Sequence, residues 1–184
     1  MNQIFTDIVF ICLVVGLSNC NNRDHSFDSN WKEFISDLEE QTIKDSLSEA
    51  AWTNLGKACL EYSGLVGGKT GLYDKAEESL IRALEVNEDS PDAIYYLASL
   101  YAKTGKSEAS YNLFLKGSEK YPEYAKYFSG IGYVSRYAGK MQESINAYHK
   151  SIKLDSGLNN IISARMQIIR PVPYPQQAWE RSIW

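Results

Sequence analysis

Gly64, Gly67, Gly68, Lys69 and Thr70 place glycines, a lysine and a hydroxyl in the order a phosphate-binding loop uses. In such a loop backbone N–H groups cradle the phosphates and the lysine meets their charge. The chemistry needs a glycine five residues before Gly68, where Ser63 stands, and a strand feeding the loop. Here the stretch lies between two helical patterns, so the glycines read as a connection between helices. His25 and His149 have no Cys or His at ligand spacing, which leaves no metal set. Glu39–Glu40 and Glu77–Glu78 are neighbouring carboxylates on helix surfaces, and no nucleophile motif accompanies them. The sequence therefore calls for no catalytic residue, no metal and no cofactor, and the chain is expected not to be an enzyme. An enzyme or small-ligand binder is the alternative class, and a deep polar pocket would mark it. The net charge of −4 and the lack of a basic cluster leave no footprint for a nucleic acid.

What does organise the chain is a period of 34 residues between Glu49 and Leu158. Leu97, Tyr101, Gly105, Phe114 and Pro122 in Pro91–Tyr124 are followed one period later by Ile131, Ser135, Gly139, Tyr148 and Ser156 in Ala125–Leu158. An earlier copy, Glu49–Ser90, carries Trp52, Leu55 and Gly56 near its start and Ala76, Leu80 and Ala83 in its second half. It is eight residues longer, and the excess maps to the Gly-rich stretch, read as a longer inter-helix loop. A period of this length marks a helical unit that cannot bury its apolar face alone and must stack on its neighbours.

The copies resemble the tetratricopeptide repeat, or TPR. Trp52, Ile94 and Phe128 take the large position of the first helix, with Leu55, Leu97 and Ile131 next. Gly56, Ala98 and Gly132 take the small one. Ala76, Ser110 and Ser144, then Ala83, Gly117 and Ser151, are the small residues of the second helix. Gly71, Gly105 and Gly139 break the chain between the two helices. Only the middle copy keeps the terminal proline, Pro122, so the second helices of the other two are expected to end less sharply. The resemblance implies an all-α fold, an α-α superhelix (a TPR solenoid) of three helix-turn-helix repeats, 49–90, 91–124 and 125–158, with a capping helix at each end.

It also implies a binding groove lined by the first helix of each repeat. Projected onto this chain, the lining is Thr53, Lys57 and Glu61, then Tyr95, Ser99 and Lys103, then Lys126, Ser129, Tyr133, Arg136 and Tyr137. The candidates for contact with a partner are Lys57, Tyr95, Ser99, Lys103, Lys126, Tyr133, Arg136 and Tyr137. Tyrosines beside these cations suit a protein or peptide partner with acidic groups or a free C-terminus; alternatively the rings only pack between helices. The carboxylate clamp of chaperone-binding TPR domains is not present, because Thr53, Lys57, Tyr96 and Gly130 depart from it and only Lys126 fits.

The flanks complete the division. Residues 29–48 read as the N-terminal capping helix, capped by Asp28 or Ser29, with Trp31, Phe34, Ile35 and Leu38 on one face and Glu33, Asp37, Glu39 and Glu40 toward water. Residues 159–170 read as the C-terminal cap, and 171–184 as a Pro- and Trp-containing tail. Ile8–Leu17 is an apolar run too short to span a bilayer but suited to a signal peptide. It ends in Leu17-Ser18-Asn19-Cys20, which resembles a bacterial lipobox, with Asn19 departing from the usual small residue. The resemblance implies a signal peptide over 1–19, a lipid on Cys20, a tether over 20–28, and an envelope location on the periplasmic face or cell surface. With Cys12 removed and Cys20 acylated, Cys59 is left without a disulfide partner. These features together call for an envelope-anchored interaction scaffold, of the kind that serves assembly of an envelope complex; a cytosolic regulator with a misread N-terminus is the other reading.

Overall fold

The computed structural model describes residues 25–67, 71–158 and 162. Cys20, the signal segment over 1–19, most of the tether, nearly all of 159–170 and the tail over 171–184 lie outside the described residues. Those up to Asp37 belong to one compact unit and those from Leu38 onward to a second.

Helix α1 runs His25–Lys44, so its last turns belong to the second unit. It starts a turn earlier than the capping signals suggested, so Asp28 and Ser29 lie inside it. The reason is Phe27. Its ring meets Trp31 edge-on at 6.4 Å, and Trp31 meets Phe34 at 6.0 Å, so the apolar stripe begins one turn before Trp31. The helix also stops short of residue 48. Ser48 adopts φ −79°, ψ 102° and accepts from the Ala51 N–H to cap the next helix, a conformation closed to a residue in a helical turn. Glu39, expected in water, ion-pairs with Lys75 inside the second unit.

Among the described residues the second unit holds six further α-helices: α2 (Glu49–Leu65), α3 (Leu72–Val86), α4 (Pro91–Lys103), α5 (Ser107–Lys120), α6 (Ala125–Tyr137) and α7 (Met141–Leu154). They pack as three successive pairs, and α2, α4 and α6 neighbour one another along one face. Among the described residues there are helices and no strands, and the architecture is an α-α superhelix of helix pairs.

The period reappears as hydrogen bonds. Ser110 Oγ donates to the Ala98 carbonyl at 2.7 Å, and Ser144 Oγ donates to the Gly132 carbonyl at 2.6 Å, both buried between the helices of a pair. Gly105 (φ 81°) and Gly139 (φ 74°) take the left-handed conformation that ends α4 and α6. The N–H of the following lysine closes each turn, Lys106 to the Tyr101 carbonyl and Lys140 to the Ser135 carbonyl, both at 2.9 Å.

The second helices end at Val86, Lys120 and Leu154, one period apart, whether or not proline follows. The expected blurring without Pro122 does not occur. Asn87 and Asp155 replace it, each accepting through its side chain from the N–H two residues on, at 3.1 Å from Asp89 and 2.8 Å from Gly157.

The eight extra residues of the first pair are not simply a loop. Helix α2 has 17 residues against 13 in α4 and α6, so half of the excess is one more helical turn. Tyr62 and Ser63 in that turn are buried, which favours continuing the helix over leaving it. The left-handed stop moves to Gly67, and Gly71 instead caps α3 at φ 66°.

Close packing explains the small residues. A Cβ on Gly56 would come within 2.6 Å of Leu80, and one on Gly132 within 2.7 Å of the Tyr148 ring. Cβ atoms on Gly117 and Gly130 would collide with the rings of Tyr127 and Phe114. Phe114, Tyr127, Phe128 and Ile131 form the core that joins the second and third pairs.

Candidate functional site: an aromatic groove

The first helices put one row of side chains on the shared face of α2, α4 and α6. A cavity of about 230 Å³ opens there. Leu60, Ala102, Phe114 and Gly130 give it an apolar floor, and Tyr95, Tyr96 and Tyr133 wall it. Glu61, Lys103, Ser99 and Ser129 supply its polar atoms. A second hollow, lined by Ala102, Ser107, Tyr133, Val134 and Tyr137, continues from the first across Ala102 and Tyr133.

Of the eight candidates, Tyr95, Ser99, Lys103 and Tyr133 are brought together in the first cavity. Tyr95 is also a seam residue, with its ring 5.2 Å from Tyr96, 5.8 Å from Phe114 and 6.5 Å from both Tyr124 and Tyr127. Ser99 spends its hydroxyl proton on the Tyr95 carbonyl at 2.8 Å. Tyr137 lines the second hollow, 68% exposed, with its ring 4.8 Å from Tyr133 and the Arg136 guanidinium 5.6 Å away. Lys57, Lys126 and Arg136 line neither space.

The cations are less free than the sequence implied. Lys126 Nζ lies 2.9 Å from Asp92 Oδ1 and over the rings of Tyr95, Tyr96 and Tyr124 at 5.3–5.7 Å. Tyr124 also donates to Asp92. Burial pushes the Asp92 carboxyl upward. Hydrogen bonds from Tyr124 and Lys126 and the fields of Lys126 and Lys57 outweigh that and hold it below the ordinary range. Lys57 faces Tyr96 from 5.7 Å. Burial raises the Tyr96 phenol to about 12, so it stays a neutral donor.

Glu61 behaves in the opposite way to Asp92. Desolvation in the groove wall raises its carboxyl, although Lys57 and Lys103 pull it down. Among the described residues the side chains of Glu61 and Lys103 make no ion pair and no hydrogen bond, yet both line the cavity. Projection from the repeat left out Leu60, Tyr96, Ala102, Phe114 and Gly130 of the cavity, Ser107 and Val134 of the second hollow, and Asp92 beside them. Asp92 and Ala102 share repeat positions with Lys126 and Arg136, so the period itself marked them.

Comparison with known proteins bears on the fold. A curated relative, the small glutamine-rich tetratricopeptide repeat-containing protein 2 of Mycosarcoma maydis, is 26% identical over 83 residues. The match covers 45% of this chain and spans only 24% of the relative's length. Among solved structures, TTC0263, a thermophilic TPR protein of Thermus thermophilus, superimposes with a TM-score of 0.66 at 12% identity, over 80% of this chain and 84% of that one. The fold is that of the tetratricopeptide repeat.

A structure of MamA gives a TM-score of 0.58 at 18% identity, over 83% of this chain and 88% of that one. A second, MamA from residue 41 to its end from Desulfovibrio magneticus RS-1, gives 0.55 at 15% identity, over 90% and 85%. No family model matches the chain. Identities this low speak for the fold alone, so the role of the groove rests on its own residues.

Proposed function

We propose that this TPR protein is an interaction scaffold that holds a peptide segment of a partner protein in the groove of α2, α4 and α6, and that a lipid on Cys20 fixes it to a bacterial envelope membrane. The observation that carries the first half is the open aromatic cavity continuing into a second hollow. Tyr133 walls both, and exposed Tyr137 extends the strip. Exposed rings on a rigid helical face offer large contact area at low entropic cost, which is how interaction surfaces use tyrosine. The lipid half is supported by Leu17-Ser18-Asn19-Cys20 behind the apolar run Ile8–Leu17.

Affinity capture of chemically cross-linked membranes tests both halves. Proteins recovered with the wild type are expected to be depleted several-fold with Tyr133→Ala and Lys103→Ala. A fatty-acid analogue is expected to label the wild type and not Cys20→Ala. Equal recovery with both groove variants would overturn the groove, and equal labelling of Cys20→Ala would overturn the anchor.

A further inference from the structure

The groove reading leaves the chemistry of the bound segment open, and the cavity narrows it. Two features set the chemistry. First, charge in this part of the groove is largely balanced. Asp92 answers Lys126 directly, and Glu61 stands in the field of Lys57 and Lys103. A strongly acidic segment would gain from Lys103 but meet Glu61 in the same cavity. Second, the side chains of Glu61 and Lys103 make no hydrogen bond and no ion pair among the described residues, on the lining of a space whose other residues are mostly apolar or aromatic. A carboxylate without a hydrogen bond in a partly dry wall is costly, and desolvation raises the Glu61 carboxyl despite the fields of Lys57 and Lys103. Ser99 and Ser129 do not compete for a ligand's acceptors, because each donates to its own helix at 2.8 Å.

We infer that the cavity is an anchor site for one large uncharged apolar or aromatic side chain of an extended partner segment, with Glu61 accepting from and Lys103 donating to the polar groups of that segment's main chain. The size agrees: about 230 Å³ takes a single such side chain and not a bulky cofactor. Leu60, Phe114 and the three tyrosines give it dispersion contact and ring stacking. Glu61 and Lys103 reward a peptide unit, which carries both a donor and an acceptor, over a side chain of either charge. This rests on the groove being the binding face.

The test uses the isotopically labelled full chain and host peptides of the form acetyl-GSGSXSGSG-amide, with X as Trp, Leu, Asp or Lys, read by amide NMR shifts. The Trp and Leu peptides are expected to move the amides of Ser99, Ala102 and Gly130, at least fivefold more tightly than the Asp and Lys peptides. Glu61→Gln and Lys103→Met should each weaken the Trp peptide about threefold to tenfold. Ala102→Leu should abolish its shifts while the remaining amides keep their positions. Tighter binding of the Asp or Lys peptide, or wild-type affinity in both polar variants, overturns the assignment. So does a Trp179→Ala chain that moves the same amides without peptide, because the chain's own tail is then the occupant. If no host peptide shifts these amides while Tyr133→Ala still loses its captured proteins, the anchor fails and the groove stands. If that capture is also unaffected, both fail.

Discussion

Lys126 Nζ lies 2.9 Å from Asp92 Oδ1, thirty-four residues earlier in the chain, so the cation at one repeat's groove position is answered by the acid at the same position of the repeat before. The pair joins α4 to α6 and spends a charge that would otherwise attract an acidic ligand. Both side chains are about half exposed, which keeps the energetic worth of the pair small.

The Asp92 network makes stability fall in acid. Its carboxyl is held below its unfolded value, so its contribution is present above about pH 4 and is lost as the pH falls through the folded value. Asp92→Asn is expected to lower the urea midpoint at pH 7 and to flatten the acid limb of the stability profile. Identical profiles for variant and wild type would show that the network carries no linkage.

Glu61 carries the opposite sign. A carboxyl raised in the folded state favours the fold while protonated; that contribution is complete below the ordinary glutamate value and is lost as the pH rises from there through the raised folded one. Glu61→Gln is therefore expected to raise the unfolding midpoint slightly at pH 7 while weakening the peptide contact. A lowered midpoint would mean that Glu61 serves packing.

Gly130 and Gly105 are expected to fail for different reasons. Alanine at Gly130 drives a methyl into the Phe114 ring, with a cost of about 1–3 kcal/mol from overpacking. Alanine at Gly105 meets open space but must hold φ 81°, with a cost of about 1 kcal/mol. Equilibrium denaturation separates them: truncating Phe114 to Leu should relieve the first and leave the second unchanged.

Cys59 is fully buried, and burial pushes its thiol up to about 11. In a Cys12→Ser, Cys20→Ser chain it should resist a maleimide at pH 8 and react only when denaturant opens the fold. Its stabilising effect is complete below the ordinary thiol value and is lost as the pH rises toward 11. Fast labelling of the native chain would contradict the burial.

The period made the helix pairs and the groove face legible, because helical repeats place equivalent residues on equivalent faces. Four local features did not follow from it. The first pair's insertion read as a loop because its glycines suggested a break; the burial of Tyr62 and Ser63, a tertiary effect, extends the helix instead. The start of α1 was hidden because Phe27 precedes a plausible cap yet packs edge-on against Trp31. Asn87 and Asp155 hid the substitute for Pro122, since side-chain turns leave no periodic signature. Charge in the groove was misjudged because cations were counted without the acid at the matching position, Asp92, whose partner lies a full repeat away.

The central claim is that the shared face of α2, α4 and α6 binds the partner. A photo-activated cross-linking residue placed at Tyr137 or Lys103, with Lys116 and Glu119 on α5 as exposed controls, tests it most directly in membranes of the native host. The groove positions are expected to give discrete cross-linked bands that Ala102→Leu removes, and the α5 positions none. Bands of equal strength from α5, or groove bands untouched by Ala102→Leu, would contradict the account.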